Sequence, residues 1–307
     1  MRRGSWDRGP PALLAAGHSV TAIVRQPLPW RLANVEDAAL AVSPVDEWAS
    51  EIEQAKPEVF VSLDWDGVAG QSRNDDRQWS NLPRQRELIL AAVRSGATRI
   101  VGVGSQAEYG PRSDRISERA PTTPVSVYGQ SKVAAMSQLM ELCEGAGITA
   151  VWARVFSVYG PMDNDGVLLQ EVTDALRERG SVDLSSGEQL WSYLYASDAG
   201  RAMATLVGDP LAEGIYNVGH PAAPRLRNTV EQFALLGGLA GGLRFGALPG
   251  NSLSSARLQP DVDRLRSLGW DPEISLATGL ELTAAWLAGG SVVDPFRADR
   301  RLPRRMS

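Results

Sequence analysis

Cysteine and histidine are scarce in this chain, and their scarcity excludes some kinds of site. The 307 residues contain one cysteine, Cys143, and two histidines, His18 and His220. One cysteine cannot form an internal disulfide, and no Cys/His spacing resembles a zinc-binding pattern. We therefore predict that no metal is bound, that Cys143 packs in the core within a helix, and that the protein is cytoplasmic.

Long apolar runs and a surplus of basic residues are also missing. No uninterrupted hydrophobic stretch suits a transmembrane helix, although the 43% hydrophobic content can build a large core. The net charge of −5 argues against a general nucleic-acid-binding surface. The C-terminal segment 297–307 is a basic exception, typical of a disordered tail, with a phosphate-binding arm as the alternative. Its arginines are Arg297, Arg300, Arg301, Arg304 and Arg305.

Strand-like and helix-like segments alternate up to about Gly160. This alternation is the pattern of βαβ units, which form a parallel sheet. After Pro161 the chain changes to helices separated by Gly/Pro-rich turns, which predicts a smaller substrate-binding cap. Two later segments, a strand around Tyr193 and a strand over 215–218, are expected to return to the main sheet. The helices of the cap are predicted over 167–179, 228–240 and 276–288.

Tyr128 and Lys132 have a spacing that suggests proton-transfer chemistry. A tyrosine, with a reference pKa of about 10, acts as a base near neutrality only if a cation stabilises its phenolate. If Tyr128 opens a helix, Lys132 lies on the same face, where its ammonium can lower the pKa of Tyr128 and hold a cofactor ribose. Ser105, which ends an apolar run, would then hydrogen-bond the reacting oxygen. Taken alone, the spacing also suits an ordinary surface helix.

Several motifs surround this pair in a fixed order. Ser105 lies four residues before Tyr109, which is followed by glycine, and Pro124 precedes Tyr128. Segment 154–161 reads Arg-Val-Phe-Ser-Val-Tyr-Gly-Pro. These features resemble the extended short-chain dehydrogenase/reductase family of nucleotide-sugar epimerases and dehydratases. Other segments similar to the family are strands over 17–25, 57–63 and 99–105, Asn81 with a helix over 82–95, and 189–198, 215–219 and 268–272.

The resemblance implies an α/β fold with a Rossmann-like parallel sheet and a smaller C-terminal substrate-binding region. It assigns 1–165 to the cofactor domain, completed by segments near 193–220. The substrate-binding region would comprise 166–192 and 221–296, and the basic tail follows at 297–307. The resemblance also implies a homodimer whose interface is a four-helix bundle built from the helices at 82–95 and 128–144.

The function implied by the resemblance is that of an NAD(P)-dependent nucleotide-sugar epimerase or 4-ketoreductase. Ser105 would polarise the carbonyl, Tyr128 would move the hydroxyl proton, and Lys132 would hold the phenolate and the cofactor ribose. Dehydration is disfavoured, because Gln106 and Ala107 stand where dehydratases commonly carry Asp-Glu. The candidate substrate-binding residues are Gln106, Glu108, Arg154, Ser157, Trp191 and Tyr193.

Three of these candidates have a second interpretation or depart from the family pattern. Gln106 and Glu108 are candidates for sugar hydroxyl contacts, but either could instead cap the loop after the strand. Ser157 replaces the asparagine that commonly binds the diphosphate in this family. A nucleoside diphosphate sugar is therefore less firmly indicated than the catalytic chemistry.

The N-terminus departs from the family. A dinucleotide-binding sheet begins with an apolar strand and a glycine-rich turn before a helix whose N-terminus meets the pyrophosphate. Residues 1–11 contain neither the strand nor the turn. Three explanations stay open: a start further upstream, a divergent loop that uses Gly4 and Gly9, or loss of dinucleotide binding. The last would make the chain a cofactor-free binding or scaffold protein.

Two residues bear on the identity of a cofactor. Asp64 stands where the family has a small residue, and its carboxylate would repel a pyrophosphate unless it caps the following loop. Arg25 replaces the acidic residue that binds the ribose 2′-hydroxyl in NAD-selective members, and it could meet a 2′-phosphate. The predicted cofactor is therefore NAD(P), with NADP favoured, bound by Arg25, Asp64, Tyr128 and Lys132.

Overall fold

The structure, a computed structural model, describes residues 9–24, 39–68, 70–161, 163, 167–239, 241–250 and 256–289. The predictions made for residues 1–8, Arg25 and 297–307 lie outside these ranges. Within the described ranges, none of the helices combines the length and the apolar character that a membrane crossing requires.

The described elements alternate between strands and helices over the first half of the chain. The strands are β1 (Thr21–Val24), β2 (Ala39–Val42), β3 (Val59–Ser62), β4 (Arg99–Ser105), β5 (Thr149–Val155), β6 (Ser157–Tyr159), β7 (Val182–Leu184), β8 (Leu190–Trp191), β9 (Tyr193–Tyr195), β10 (Gly214–Val218), β11 (Leu243–Phe245) and β12 (Arg257–Leu258). The helices are α1 (Gly9–Ala15), α2 (Trp48–Ala55), α3 (Asn81–Arg94), α4 (Val127–Ala146), α5 (Leu168–Arg179), α6 (Ala196–Gly208), α7 (Leu226–Leu236), α8 (Asp263–Arg266) and α9 (Leu276–Leu287).

Four parallel strands form the main sheet in the order β10-β5-β4-β3. Every residue of β4 is buried, as expected for a central strand with helices on both faces. Val101 and Val103 face one hydrophobic cluster, while Ile100 faces the other, which includes residues of α3 and α4. The predicted α/β fold with a parallel sheet is confirmed, and β4 brings Ser105 to the carboxyl edge of that sheet.

Strands β1 and β2 form a second parallel pair, and neither strand is hydrogen-bonded to a strand of the main sheet. Ile23 of β1 nevertheless packs against the same hydrophobic cluster as Phe60 of β3. Among the described residues, no strand pairs with the edge of β3 that faces away from β4. The expectation that the first strand of the sheet is missing concerns residues 1–11, of which 9–11 belong to α1 and 1–8 lie outside the described part of the chain.

The two strands predicted to return to the main sheet have different outcomes. Strand β10 pairs with β5 from Gly214 to Val218, so that prediction is confirmed. The prediction for the strand around Tyr193 is wrong, because β9 pairs with β6 in a separate two-stranded parallel sheet. The backbone N–H of Phe156 donates to the Val218 carbonyl at 2.8 Å and ends the pairing with β10, after which β6 leaves the main sheet.

The C-terminal half adds helices and short strand pairs beside the main sheet. A hydrophobic cluster that includes Leu169, Phe233 and Leu280 joins α5, α7 and α9. The buried carboxylate of Asp198, at the start of α6, accepts the backbone N–H groups of Glu273 at 3.2 Å and Ile274 at 2.9 Å. These bonds hold the segment that leads into α9 against α6.

Candidate active site

Helix α4 places Tyr128 and Lys132 one turn apart on a buried face. Its N-cap Ser126 is extended, and the Ser126 hydroxyl accepts the Gly129 N–H at 3.1 Å, so the helix begins immediately before Tyr128. Tyr128 is 8% exposed and Lys132 is 5% exposed. The predicted helix is confirmed, and the surface-helix interpretation of the spacing does not hold for these two side chains.

Ser105 meets this pair at the end of β4. Its hydroxyl accepts the Ala107 N–H at 3.2 Å, and its own N–H donates to Glu108 Oε1 at 2.8 Å. This reciprocal capping box starts the short 3₁₀ helix Gln106–Glu108 and holds the Ser105 side chain in place. The Ser105 side chain also lies close enough to Tyr128 to lower the pKa of the Tyr128 phenol. The structure therefore brings together the three residues that were expected to perform the chemistry.

The charges around Tyr128 and Lys132 differ from the expectation that the Lys132 ammonium lowers the pKa of Tyr128. Burial raises the pKa of Tyr128, and the largest opposing effect comes from the charge of Arg73, followed by the hydrogen bond with Ser105. Burial lowers the pKa of Lys132 to about 7, against the opposing charges of Glu108 and Asp64. The Lys132 ammonium donates to the Val103 carbonyl at 2.8 Å.

Trp65 covers the Lys132 ammonium. Lys132 Nζ lies 3.7 Å from the centroid of the Trp65 ring but 5.9 Å from the centroid of the Tyr128 ring. The Trp65 and Tyr128 rings meet edge to face, with centroids 6.5 Å apart. Trp65 and Arg73 both follow β3, and no motif in the sequence marked either residue.

Asp64 lies after β3 and faces α3. Its carboxylate forms an ion pair with Arg84, which also contacts Asp66 at 3.1 Å. Asp64 and Arg84 are 12% and 19% exposed, so the pair is largely removed from water. Arg84 therefore balances the negative charge that was expected to repel a pyrophosphate.

Glu108 and Arg154 lie behind Ser105 rather than in an open cleft. Their side chains are 0% and 2% exposed, and Arg154 Nε donates to Glu108 Oε2 at 2.7 Å. Trp152 Nε1 donates to the same carboxylate at 3.1 Å. A Cβ at Gly104 would lie 2.2 Å from Glu108 Oε1 and from Trp152 Nε1, so this close packing requires glycine. The loop-capping interpretation fits Glu108, and direct substrate contact by these two buried residues stays a prediction.

Three other substrate-binding candidates meet one another. Ser157 Oγ accepts from Trp191 Nε1 at 2.6 Å and from Gln106 Nε2 at 3.2 Å. Gln106 Oε1 is buried and has no hydrogen-bond partner among the described residues. Because a buried acceptor without a partner is costly, this oxygen is available to a ligand hydroxyl.

Tyr193 lies at a separate cleft of about 440 Å³. Arg257 Nε donates to Gln259 Oε1 at 2.8 Å, which orients the guanidinium beside the cleft. The sequence did not indicate the other polar lining residues, His220, Arg257 and Gln259, because they come from distant segments without a recognisable motif. The lining consists of Tyr193, His220, Ala222, Ala223, Pro224, Arg257, Gln259 and Leu276.

Comparison with known proteins identifies the family. The model of the NAD dependent epimerase/dehydratase family matches residues 10–219. The chain belongs to this family. It is 23% identical over 211 residues to a protein of Bacillus subtilis described as an uncharacterized UDP-glucose epimerase, YtcB, covering 68% of this chain and 66% of that protein. The chain spans less than two thirds of the length of the first curated relatives that it matches.

Solved structures of epimerases share the fold. The UDP-glucose 4-epimerase of Thermotoga maritima, solved with UDP-glucose, has a TM-score of 0.82 at 17% identity and covers 94% of this chain and 96% of its own. The UDP-glucose 4-epimerase of Thermus thermophilus, solved with NAD, has a TM-score of 0.79 at 22% identity, with coverages of 94% and 97%. These similarities show the α/β fold of the epimerase/dehydratase family.

The residue types of Ser105, Tyr128 and Lys132 fit a nicotinamide dinucleotide, the cofactor in the name of the epimerase/dehydratase family. Ser105 lies beside Tyr128, and Lys132 has three N–H donors, of which one bonds to the Val103 carbonyl. The remaining N–H donors of Lys132 suit ribose hydroxyls, which could reach them once the Trp65 indole moves away from the ammonium. Helix α1 has only seven residues and supplies no evidence for a pyrophosphate site.

Proposed function

We propose that this chain is an NAD(P)-dependent nucleotide-sugar epimerase or 4-ketoreductase. The observation that carries this proposal is the meeting of Ser105, Tyr128 and Lys132 at the carboxyl edge of the main sheet, where the Ser105 side chain lies beside Tyr128. Ligands of open α/β sheets bind beyond this edge. The position of the three residues at this edge and their residue types both support the proposed epimerase or ketoreductase chemistry.

Ser105 and Tyr128 would have different roles at the sugar carbon that is oxidised or reduced. Ser105 donates its hydroxyl proton in a hydrogen bond to the reacting oxygen, since Ser105 Oγ already accepts from Ala107. Tyr128 takes the hydroxyl proton when the carbonyl forms and returns it when the alcohol is restored. The bound nicotinamide would supply the acceptor or donor of hydride. Burial of all three side chains excludes water from the reacting atoms.

The remaining candidates would bind the substrate. The cleft of about 440 Å³ is within the usual range for small-ligand pockets, about 300–1,000 Å³. Arg257 and His220 would face the anionic part of a nucleotide sugar, while Gln106, with its unpaired Oε1, would accept a sugar hydroxyl. Glu108 and Arg154 would hold Ser105 in position. Solved relatives carry UDP-glucose or UDP-glucuronic acid, which supports this substrate class.

The identity of the dinucleotide forms part of the proposal. Several solved relatives carry NAD. The predicted preference for NADP depends on Arg25, which lies outside the described residues. Parallel titrations with NADH and NADPH will distinguish the two cofactors.

The test is turnover by the purified protein with a panel of nucleotide sugars and both cofactors. Tyr128→Phe should lower turnover by about 100- to 10,000-fold, the range for loss of a general acid–base group. Tyr216→Phe is the matched control, because Tyr216 belongs to the hydrophobic cluster on the other face of the sheet. Absence of turnover together with absence of cofactor binding would reject the proposal.

A cofactor-free binding protein is the second candidate function. The specific observation in its favour is the Trp65 indole, 3.7 Å from the Lys132 ammonium that would otherwise hold the cofactor ribose. Calorimetric titration of the full chain with NADH and NADPH separates the two candidates. Tight binding of either cofactor rejects the cofactor-free candidate.

A further inference from the structure

Gln106 and Ser157 follow the carboxyl ends of two adjacent strands. Strands β4 and β5 pair in parallel up to Ser105 and Val155, so the residues that come next lie at the same edge of the main sheet. Gln106 is the first residue of the 3₁₀ helix that Ser105 caps. Because ligands of open α/β sheets bind beyond this edge, Gln106 lies where a substrate that meets Ser105 is expected.

Two side chains orient the amide of Gln106. The indole N–H of Trp191 can only donate, and Ser157 Oγ accepts it at 2.6 Å. The same Oγ accepts from Gln106 Nε2 at 3.2 Å. The amide nitrogen of Gln106 is therefore directed towards Ser157. Gln106 Oε1 is left buried without a hydrogen-bond partner in the part of the chain that the structure describes, so the amide offers an acceptor to a ligand.

The surroundings of this acceptor do not favour a second acceptor. Ser157 and Trp191, which hold the amide, are uncharged, and the carboxylate of the nearby Glu108 is already paired with Arg154. A carboxylate placed against Gln106 Oε1 would bring two acceptors together without a shared proton. A hydroxyl group, in contrast, can donate to Oε1 and supply the missing hydrogen bond.

The group at carbon 5 of the sugar is the one that this acceptor can distinguish. If carbon 4 is oxidised or reduced beside Ser105, the group at carbon 5 lies next to the reacting carbon. It is CH₂OH in glucose, a hydrogen atom in xylose and a carboxylate in glucuronic acid. Only the CH₂OH group can donate a hydrogen bond to Gln106 Oε1.

We infer that Gln106 selects a nucleotide sugar with a hydroxyl-bearing group at carbon 5 and disfavours one with a carboxylate there. The substrate class is therefore a nucleotide linked to a neutral hexose rather than to a uronic acid. The inference rests on the proposed function, since it concerns the substrate of the same site. Gln106 determines specificity, while proton transfer stays with Tyr128.

The experiment measures the binding of glucose, xylose and glucuronic acid, each linked to UDP and to dTDP, to the full chain by calorimetry with and without NAD. Within each series the ligands share their nucleotide and differ only at carbon 5. The glucose derivative should bind most tightly. Loss of one hydrogen bond should weaken the xylose derivative by about 5- to 10-fold, and the unfavourable carboxylate should weaken the glucuronic acid derivative by about 10- to 100-fold.

Substitutions of Gln106 test whether this residue causes the order. Gln106→Leu removes the acceptor and should bring the glucose and xylose derivatives to within about twofold of each other. Gln106→Lys introduces a cationic donor and should reverse the preference in favour of glucuronic acid. If Gln106→Leu does not fold, Gln106→Glu, which keeps an acceptor and adds a charge, should widen the discrimination against glucuronic acid.

Gln54→Leu is the matched control. Gln54 lies on the exposed surface of α2 and bonds only to Ser50 among the described residues, so its loss should leave every affinity ratio unchanged. Each ratio compares ligands on one variant, and a smaller fraction of folded protein does not alter it.

Equal affinities for the three sugars, or a preference of the wild type for glucuronic acid, would overturn the inference. So would the wild-type order persisting in Gln106→Leu. If none of the nucleotide sugars binds, the proposed function is rejected and the inference with it. Binding in the expected order without turnover rejects the enzyme activity alone, so the two failures can be distinguished.

Discussion

Replacement of Glu108 by glutamine is expected to destabilise the fold strongly. The Glu108 carboxylate accepts the Ser105 N–H at 2.8 Å, the Trp152 indole N–H at 3.1 Å and Arg154 Nε at 2.7 Å. The side-chain oxygen of a glutamine can still accept from Ser105 and Trp152. The side-chain NH₂ group of the glutamine, however, would face Arg154 Nε, which is also a hydrogen-bond donor. The substitution therefore removes the negative charge that pairs with Arg154 but keeps the other two hydrogen bonds. The buried charge of Arg154 is left without a counterion.

The expected decrease in the free energy of unfolding is the cost of leaving the buried Arg154 charge unpaired. Removal of one partner of a buried ion pair costs about 3–5 kcal/mol. Glu108→Ala should cost more, because the N–H groups of Ser105 and Trp152 also lose their acceptor, at about 1–3 kcal/mol each. A stability of about 5–15 kcal/mol is typical of a folded domain, so the glutamine variant should remain measurable while the alanine variant approaches unfolding.

The assay is urea unfolding followed by circular dichroism, with a matched control at the surface. Glu53 pairs with Arg94 at 2.6 Å, but the two side chains are 45% and 57% exposed. Glu53→Gln should therefore change the free energy of unfolding by no more than about 1 kcal/mol. A loss in Glu108→Gln as small as that of the control would refute the view that the buried pair supports the end of β4.

Three other predictions concern Lys132, Trp65 and the oligomer. Burial lowers the pKa of Lys132 from its ordinary value of 10.5 to about 7, so the unfolded chain binds more protons between these values. The free energy of unfolding of the wild type, relative to Lys132→Met, should therefore rise from about pH 7 towards pH 10, and a flat difference would contradict this. Trp65→Ala should tighten NADH binding by about tenfold in calorimetry, since a desolvated cation–π contact is worth about 1–2 kcal/mol, whereas weaker binding would show that the indole supports the cofactor. The predicted homodimer through α3 and α4 should sediment with the mass of two chains, and a mass of one chain would exclude it.

Local patterns in the sequence were sufficient for the elements that carry the three reacting residues. The Tyr128/Lys132 spacing suggested the helix α4, and the apolar run before Ser105 predicted a buried strand. The carboxyl ends of parallel strands meet at one edge, which predicts the position of Ser105, whereas its meeting with Tyr128 was implied by the family resemblance. Short strands carry less information: the three residues of β9 do not specify their partner, and β9 pairs with β6 rather than with the main sheet.

The sequence by itself determined the family, the parallel α/β fold and the residues that meet at the carboxyl edge of the main sheet, because each depends on a motif or on a local hydrophobic period. Only the tertiary structure decided the surroundings of those residues. It buried Glu108 with Arg154 behind Ser105, and it placed Trp65 over Lys132 and Arg73 against Tyr128. These contacts join segments that are distant along the chain, and their energies depend on desolvation and on the distance between charges, which no local pattern records.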